Sequence, residues 1–249
     1  MCRVLMMNKQ GEREIEKSFG LTKYLKFLED DFGGDGNGFA LLKNNKIIKF
    51  DKGRKLDIRD ISKYIKDHDY DWCLFHTRFA SIGMKNDKNC HPFIIGDMML
   101  AMNGTERSVS FLSEVKDITD TEAILETISK YNLGLGALKK FSSIFMGFYK
   151  GKPFVVADNT YNIRVFKKEK SKALVFASKF PSKMMKNIYA PTDNFTWFEN
   201  KLPDCLVKYI NVQTSPILLD DYIYHDDLYA QCYIEALEKE GGTINGVSI

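Results

Sequence analysis

The chain has 249 residues, 44% of them hydrophobic and 13% aromatic, which fits one large domain or two small ones with a sizeable core. Its 36 lysine and arginine residues nearly balance its 33 aspartate and glutamate residues and are interleaved with them. This balance gives no electrostatic reason to expect a nucleic-acid partner or a membrane surface.

The first third of the chain is predicted to contain a short strand, a helix, a glycine-rich turn, a hairpin and a second helix. The strand is predicted at Val4–Met7. The first helix is predicted from apolar residues at helical spacing, namely Leu21, Tyr24, Leu25, Leu28 and Phe32. The second helix is predicted around Asp57–Asp67, where isoleucines recur at the same spacing.

Strands dominate the next part of the chain. Asp71–Phe79 and Ile94–Met102 are rich in bulky apolar residues and have the length of strands. Thr119 and Glu122 then form a capping-box pattern that opens a helix. Two later segments, SSIFMGFYKGKPFVVAD and NIRVFKKEKSKALVFAS, predict hairpins. Paired strands with helices set apart from them favour an α+β fold with antiparallel sheets over a parallel nucleotide-binding sheet.

Residues 1–215 are predicted to form one domain, and residues 216–249 a C-terminal helical appendage. The aromatic-rich segment Leu218–Lys239 predicts this helix, either packed on the same domain or docked on a partner. No segment reaches the ~20 apolar residues that a membrane span needs. The start of the chain also lacks the apolar core and the cleavage site of a signal peptide.

The cysteine pattern bears on the compartment and on metal binding. The number is odd and no CxxC spacing occurs, so neither a disulfide framework nor a zinc cluster is predicted. A cytoplasmic location with no metal or cofactor is therefore expected. The five cysteines are Cys2, Cys73, Cys90, Cys205 and Cys232.

Cys2 has a position that none of the other cysteines shares. Removal of Met1 would leave its thiol and a free α-amine on one residue. A thiol needs a base to become a good nucleophile, and an α-amine with a pKa of about 7.7–8.0 is such a base near neutral pH. The alternative interpretation is a small buried thiol without a chemical role.

Two charged residues could bind the two ends of an amino acid. Arg78 ends a predicted strand, where it could be a solvated edge residue or could bind a carboxylate through two hydrogen bonds. Asp120 lies in the first turn of a predicted helix, where an acid is favoured by the helix dipole. Its functional alternative is to receive an α-ammonium group.

Asn103 and Gly104 follow an apolar strand and could simply form a turn. An asparagine amide and a neighbouring backbone N–H can also donate two hydrogen bonds to a developing oxyanion. His76 and His91 could act as bases or ligands. No metal-ligand spacing accompanies these two histidines, which favours packed, hydrogen-bonded roles for them.

In this order the segments resemble the class II (N-terminal nucleophile, or Ntn) glutamine amidotransferase family. That family has a cysteine after the initiator methionine, a glycine-rich turn, His-Thr-Arg-x-Ala-Thr, a His-Pro pair, His-Asn-Gly and Asp-Ser/Thr-Glu. The matching segments cover roughly residues 2–200, and they are Cys2, FGGDGNG at 32–38, HTRFAS at 76–81, His91-Pro92, Met102-Asn103-Gly104 and Asp120-Thr121-Glu122.

The resemblance implies a four-layer αββα sandwich of two antiparallel sheets between helical layers. It also implies Cys2 as the nucleophile with its own α-amine as base, and Asn103 with the Gly104 N–H as the oxyanion hole. Residues for substrate binding are implied as well. Arg78 and Asp120 would hold the two ends of glutamine, and the pocket would be lined by Phe79 and Ser81.

The sequence departs from the family pattern at a few positions around the pocket. The glycine turn has Phe32 in place of arginine, and the position after the motif arginine has Phe79 where tryptophan is frequent. Ile82 stands where the family often has histidine, and Met102 replaces the histidine before the asparagine. None of these changes removes the expected nucleophile, substrate clamp or oxyanion pair.

The expected reaction is hydrolysis of L-glutamine through a γ-glutamyl thioester, with release of ammonia to a separate synthetase or amidating enzyme. One alternative is a γ-glutamyl-amide hydrolase that accepts a bulkier leaving amine and transfers no ammonia, which Phe79 and Ile82 would accommodate. Another is a non-catalytic regulatory subunit that keeps the fold. Neither a nucleic acid nor a membrane is expected as a partner.

Overall fold

The larger of two antiparallel sheets is built around the first strand of the chain. The computed structural model describes residues 2–158, 160, 163–184, 188–191, 194–198, 243–244 and 247–248. The larger sheet has seven strands in the order β11-β9-β10-β1-β4-β2-β3. Their bounds are β1 Arg3–Asn8, β2 Asn37–Lys43, β3 Lys46–Gly53, β4 Trp72–Thr77, β9 Arg164–Lys168, β10 Ala173–Ala177 and β11 Ile188–Tyr189.

The smaller sheet has five strands in the order β12-β8-β7-β6-β5. Its bounds are β5 Phe93–Ile95, β6 Met98–Asn103, β7 Ile144–Tyr149, β8 Lys152–Ala157 and β12 Phe195–Phe198. The helices are α1 Lys9–Ser18, α2 Leu21–Phe32, α3 Ile58–Asp67, α4 Ser110–Lys116 and α5 Asp120–Lys130. A separate two-stranded pair joins β13 Thr243–Ile244 to β14 Val247–Ser248.

Alternation along β1 divides the core into layers. Val4 and Met6 point between the two sheets, where they pack in a cluster with residues of the smaller sheet such as Ile144. Leu5 and Met7 point the other way and pack against the first three helices. A third cluster lies between the smaller sheet and the helices α4 and α5. Because strand side chains alternate between faces, this pattern makes two sheets between two helical layers, and the predicted αββα fold is confirmed.

Most elements agree with the sequence predictions. The second-helix and hairpin predictions are confirmed, and the β2–β3 turn uses Asn44 and Asn45 at positive φ, the backbone of a tight hairpin. The predicted single strand Ile94–Met102 is wrong, because Gly96 with φ 55° turns the chain and divides it into β5 and β6. Thr119 caps α5 as predicted, since its hydroxyl accepts the Glu122 N–H at 3.1 Å.

Two further predictions concern the C-terminal helix and membrane-spanning segments. The helix predicted at Leu218–Lys239 lies outside the described residues. None of the helices in the described ranges combines the length and the apolar character that crossing a bilayer requires.

Close pairing of β6 with β7 fixes the end of β6, where Asn103 lies opposite Ile144. A Cβ added at Gly147 would come within 1.9 Å of the Met99 carbonyl oxygen on the neighbouring strand. We expect Gly147→Ala to lower the free energy of unfolding by about 1–3 kcal/mol, because backbone must move to admit the methyl group. Urea denaturation followed by circular dichroism measures the change.

The matched control is Gly53→Ala in β3, where the nearest atom to an added Cβ is Asp87 Oδ1 at 3.6 Å. That ordinary contact predicts little change in stability. Equal denaturation midpoints for the two variants would contradict the role given to Gly147.

Candidate active site

Three strands and one helix bring the predicted site residues to one end of the sandwich. Cys2 precedes β1, Arg78 follows β4, Gly104 follows β6 and Asp120 begins α5. These residues line one small cavity, whose empty volume of about 240 Å³ includes open solvent at its mouth. The other lining residues are Phe79, Ser81, Ile82, His91, Met102, Thr119 and Thr121. The structure therefore brings together residues that are up to 119 positions apart in the sequence, from Cys2 to Thr121.

The Cys2 thiol is buried against the chain that follows β4. Its Sγ accepts a hydrogen bond from the Phe79 N–H at 3.4 Å and lies 3.5 Å from the Phe79 carbonyl oxygen. Burial raises the pKa of the Cys2 thiol to about 11, against the opposing effect of the Phe79 N–H. At neutral pH the sulfur is therefore protonated, and a nucleophilic role requires a base close to it.

Arg78 is a buried cation held by backbone carbonyls. Its side chain donates to the carbonyl oxygens of Met84 at 3.0 Å, Ile82 at 3.0 Å and Gly83 at 3.2 Å. The residue is 2% exposed. Within the described part of the chain, no carboxylate lies within ion-pair distance of it. Because a buried charge is costly without a charged partner, this guanidinium is suited to bind an anionic ligand in the cavity.

Asp120 is the corresponding buried anion. Its carboxylate accepts the backbone N–H groups of Glu106 at 2.9 Å and Thr121 at 3.0 Å. Burial raises the pKa of Asp120 to about 6, although these N–H bonds and the Arg78 charge oppose the rise. The carboxylate is consequently ionised above pH 6 and can receive a cation.

Asn103 and Gly104 lie where β6 ends. Asn103 is buried, and its Oδ1 has no hydrogen-bond partner in the structure. Gly104 lines the cavity directly, whereas Asn103 is not among the lining residues. A Cβ at Gly104 would lie 2.0 Å from the Ser143 Oγ, so this close approach requires glycine.

Phe79 and Ser81 form the outer part of the cavity wall. Phe79 is 45% exposed and makes an edge-on contact with Phe32, with ring centroids 5.9 Å apart. The Ser81 hydroxyl is 2.8 Å from the Thr105 hydroxyl. Both residues therefore lie at the mouth of the cavity, where a ligand would enter.

His76 and His91 are packed side by side beneath the cavity, with ring centroids 4.1 Å apart. Nε2 of His76 lies 3.1 Å from the Met102 carbonyl oxygen, and Nε2 of His91 lies 2.7 Å from the Thr121 hydroxyl. Burial lowers the pKa of His76 to about 3 and that of His91 well below its usual value. Both rings are neutral at pH 7, and the predicted packed and hydrogen-bonded roles are confirmed.

Comparison with known proteins adds relatives of established activity. No family model matches the chain. It is 28% identical over 155 residues to a glutamine–fructose-6-phosphate aminotransferase of Sulfolobus acidocaldarius, covering 57% of this chain and 25% of that protein. The enzyme of the same name from Staphylococcus aureus is 31% identical over 139 residues, or 50% of this chain and 22% of that protein. The chain thus spans about a quarter of the length of these relatives.

Solved structures show the same fold. The glutamine phosphoribosylpyrophosphate amidotransferase from B. subtilis, complexed with ADP and GMP, superposes with a TM-score of 0.52 at 17% identity. The superposition covers 72% of the present chain and 42% of the B. subtilis chain. A structure of the allosteric regulatory enzyme of purine biosynthesis gives a TM-score of 0.51 at 18% identity, with the same coverage.

The chain is therefore similar in sequence to glutamine amidotransferases and has the fold of their class II, N-terminal-nucleophile domain. The residues at which its sequence departs from the family pattern lie around the cavity. Phe79, Ile82 and Met102 line it, and Phe32 packs on Phe79 at its mouth. The Met102 side chain replaces a histidine, but its carbonyl oxygen still binds His76.

Sequence reasoning missed polar residues that support the candidate site. Glu106 is buried, its N–H binds Asp120, and its carboxylate accepts the hydroxyl of Ser143, against which Gly104 packs. Arg3 donates to the carbonyl oxygen of Cys2. The available signal was position in the chain, since Arg3 directly follows Cys2 and Glu106 is close after Gly104. No local pattern marked Ser143, because its role depends on the pairing of β6 with β7.

The raised pKa of Asp120 predicts a pH-dependent effect of its removal. The native pKa of about 6 lies above the ordinary aspartate pKa of 3.8, so the native state binds more protons between these values and stability falls as pH rises through them. We expect Asp120→Asn to raise the free energy of unfolding by about 1–3 kcal/mol at pH 8 and by little at pH 4. Chemical denaturation at both pH values measures this.

The exposed Asp117→Asn serves as the control, since asparagine also tolerates the positive φ of 52° at that position. Its stability should change little at either pH. If Asp120→Asn instead lowered the free energy of unfolding at pH 8, burial of the ionised carboxylate would not be destabilising, which would contradict the raised pKa.

Proposed function

We propose that this amidotransferase domain hydrolyses the side-chain amide of L-glutamine, with Cys2 as the nucleophile. The observation that carries the proposal is the placement of the Cys2 thiol, the Arg78 guanidinium and the Asp120 carboxylate around one cavity. Glutamine carries a carboxylate, an ammonium group and an amide. A buried cation, a buried anion and a thiol are complementary to these three groups.

Substrate binding uses the two charges. The Arg78 guanidinium binds the α-carboxylate, and Asp120 accepts hydrogen bonds from the α-ammonium. Since the pKa of Asp120 is raised to about 6 by burial, binding weakens as pH falls below that value. Phe79 and Ser81 line the approach to the amide, which lies beside the Cys2 sulfur.

The chemistry proceeds in two steps. With Met1 removed, the Cys2 α-amine takes the thiol proton while sulfur attacks the δ-carbonyl carbon. The oxyanion accepts hydrogen bonds from the Asn103 side-chain amide and the Gly104 N–H. The C–N bond then breaks, the amine returns its proton to the leaving nitrogen, and ammonia departs. Water attacks the γ-glutamyl thioester with the same amine as base, which yields glutamate and regenerates the thiol.

The released ammonia is proposed to pass to an acceptor on a separate synthetase or amidating enzyme. Support comes from the sequence relatives, which are named as aminotransferases that act on fructose-6-phosphate. A cytoplasmic setting is also proposed, because Cys2, Cys73 and Cys90 are free thiols and a reducing environment preserves them. The proposed domain extends to residue 215, as the sequence predicts.

Replacement of the nucleophile gives the direct test. We expect Cys2→Ala to lose glutamine-dependent ammonia release by at least about 10⁴-fold, since loss of a covalent nucleophile leaves only binding and oxyanion stabilisation. A coupled glutamate dehydrogenase assay measures the ammonia. Intact-mass analysis of the same wild-type sample establishes whether Met1 has been removed.

Cys73→Ala is the matched control, because Cys73 is a buried thiol in the helix-side core and should retain turnover. Undiminished activity in Cys2→Ala would refute the mechanism. A wild-type protein that retains Met1 and releases no ammonia would favour a non-catalytic subunit that keeps the fold.

A γ-glutamyl-amide hydrolase is the second candidate function, and one observation favours it. Phe79 and Phe32 are 45% and 38% exposed at the mouth of the cavity, next to the Cys2 sulfur that Phe79 contacts. The two rings contact each other and together present apolar surface beside the cavity. An apolar leaving amine could lie on these two rings while the γ-glutamyl group occupies the same clamp.

Comparison of substrates separates the two functions. An amide hydrolase should have a higher kcat/KM for γ-glutamyl-anilide than for glutamine. Phe79→Ala should lower the ratio of these two kcat/KM values about tenfold, as expected for one lost apolar contact. Ammonia and aniline release are measured in parallel. A higher kcat/KM for glutamine in the wild type would argue for the glutaminase.

A further inference from the structure

Arg3 is a buried arginine directly after the proposed nucleophile. It is 8% exposed, although arginine is almost never buried without partners. Alternation along β1 explains where it points. Val4 faces the space between the sheets and Leu5 faces the helices, so Arg3 shares the helix-facing side while Cys2 shares the inner side.

The Arg3 side chain joins the start of β1 to the end of α2. Its Nε donates to Asp31 Oδ2 at 2.6 Å, and its Nη1 donates to the Cys2 carbonyl oxygen at 3.2 Å. The guanidinium carbon also lies 4.7 Å from the centroid of the Phe32 ring. Lys179 provides Asp31 with a second cation at 2.5 Å. The guanidinium is therefore fixed on three sides.

We propose that Arg3 is a positioning residue for the Cys2 nucleophile, an inference that rests on the proposed function. Once Met1 is removed, Cys2 is joined to the chain on its carboxyl side only. Rotation about its Cα–C bond would then swing both the amine and the sulfur. The bond from Arg3 to the Cys2 carbonyl oxygen fixes the plane of the Cys2–Arg3 peptide group and so fixes the axis of that rotation. The Phe79 N–H then holds the sulfur at one angle about this axis.

A second line of contacts reaches the same sulfur from the other side. Arg3 lies on the face of Phe32, Phe32 contacts Phe79 edge-on, and the Phe79 N–H donates to the Cys2 Sγ. The Arg3 guanidinium thus reaches the end of α2 from β1. One side chain thus orders both the backbone and the sulfur environment of Cys2.

The test compares Arg3→Ala and Arg3→Lys with Arg59→Ala, an exposed arginine of α3 that serves as control. We expect Arg3→Ala to lower kcat for ammonia release by about 10²-fold, the usual result of a misplacement near 1 Å. KM for glutamine should change little, because Arg3 does not contact Arg78 or Asp120. Added guanidinium at millimolar concentration should restore part of kcat.

Arg3→Lys should also lower kcat, because an ammonium cannot reproduce the planar fork that holds Asp31 and the Cys2 carbonyl together. Full kcat in a folded Arg3→Ala or Arg3→Lys protein would overturn the proposal. So would a loss in kcat/KM that comes entirely from a higher KM for glutamine. If Arg3→Ala does not fold, Arg3→Lys decides.

The proposed function fails differently. A wild-type protein that releases no ammonia from glutamine would contradict the glutaminase function. The positioning role of Arg3 would then be tested by a second readout. That readout is the rate of Cys2 alkylation by iodoacetamide across pH, followed by mass spectrometry. A positioned amine–thiol pair should make alkylation slower in Arg3→Ala than in wild type, and identical profiles would overturn the role of Arg3.

Discussion

The site depends on the pairing of β1 with β4 in the middle of the larger sheet. In that register Arg3 lies opposite Thr77, so the residue before β1 meets the residues after β4. Cys2 therefore lies beside Phe79, and the same strand ends carry Arg78. Because β1 also pairs with β10 on its other side, neither edge of the strand is free. The proposed nucleophile is consequently placed by a ladder of backbone hydrogen bonds, and a one-residue slip of this ladder would turn the core residues of β1 to the wrong face.

Much of this arrangement follows from the sequence, because it is encoded by local patterns. The amphipathic spacing of α2, the Thr119 cap and the hairpin turns are each determined by neighbouring residues. Cys2, Arg78, Asp120 and Gly104 could be named from their motifs, and the structure brings them around one cavity. The break between β5 and β6 was missed because strand patterns tolerate one glycine, whereas only the positive φ of Gly96 shows that the chain turns there.

The remaining site residues could not be predicted, because their roles arise from tertiary contacts. Ser143 supports Gly104 only through the register of β6 with β7, and Asp31 meets Arg3 only because α2 packs on β1. Sequence reasoning also gave Phe32 a place on the buried face of α2. The ring is instead 38% exposed and lies between the Arg3 guanidinium and Phe79. Helical spacing identifies a face but does not show what the last turn of that face contacts.

The electrostatics of the cavity bear on the zwitterionic substrate proposed for it. Arg78 and Asp120 line the same cavity, yet each is bonded to backbone groups and they form no ion pair with each other. Had the two charges paired, the site would be satisfied by itself and a ligand would have to break a buried ion pair, which typically costs about 3–5 kcal/mol. Because the two side chains do not pair, Arg78 and Asp120 each remain without an oppositely charged partner in the cavity. The proposed substrate, glutamine, would supply both charges at once, and its amide end would then have the Cys2 sulfur as its neighbour.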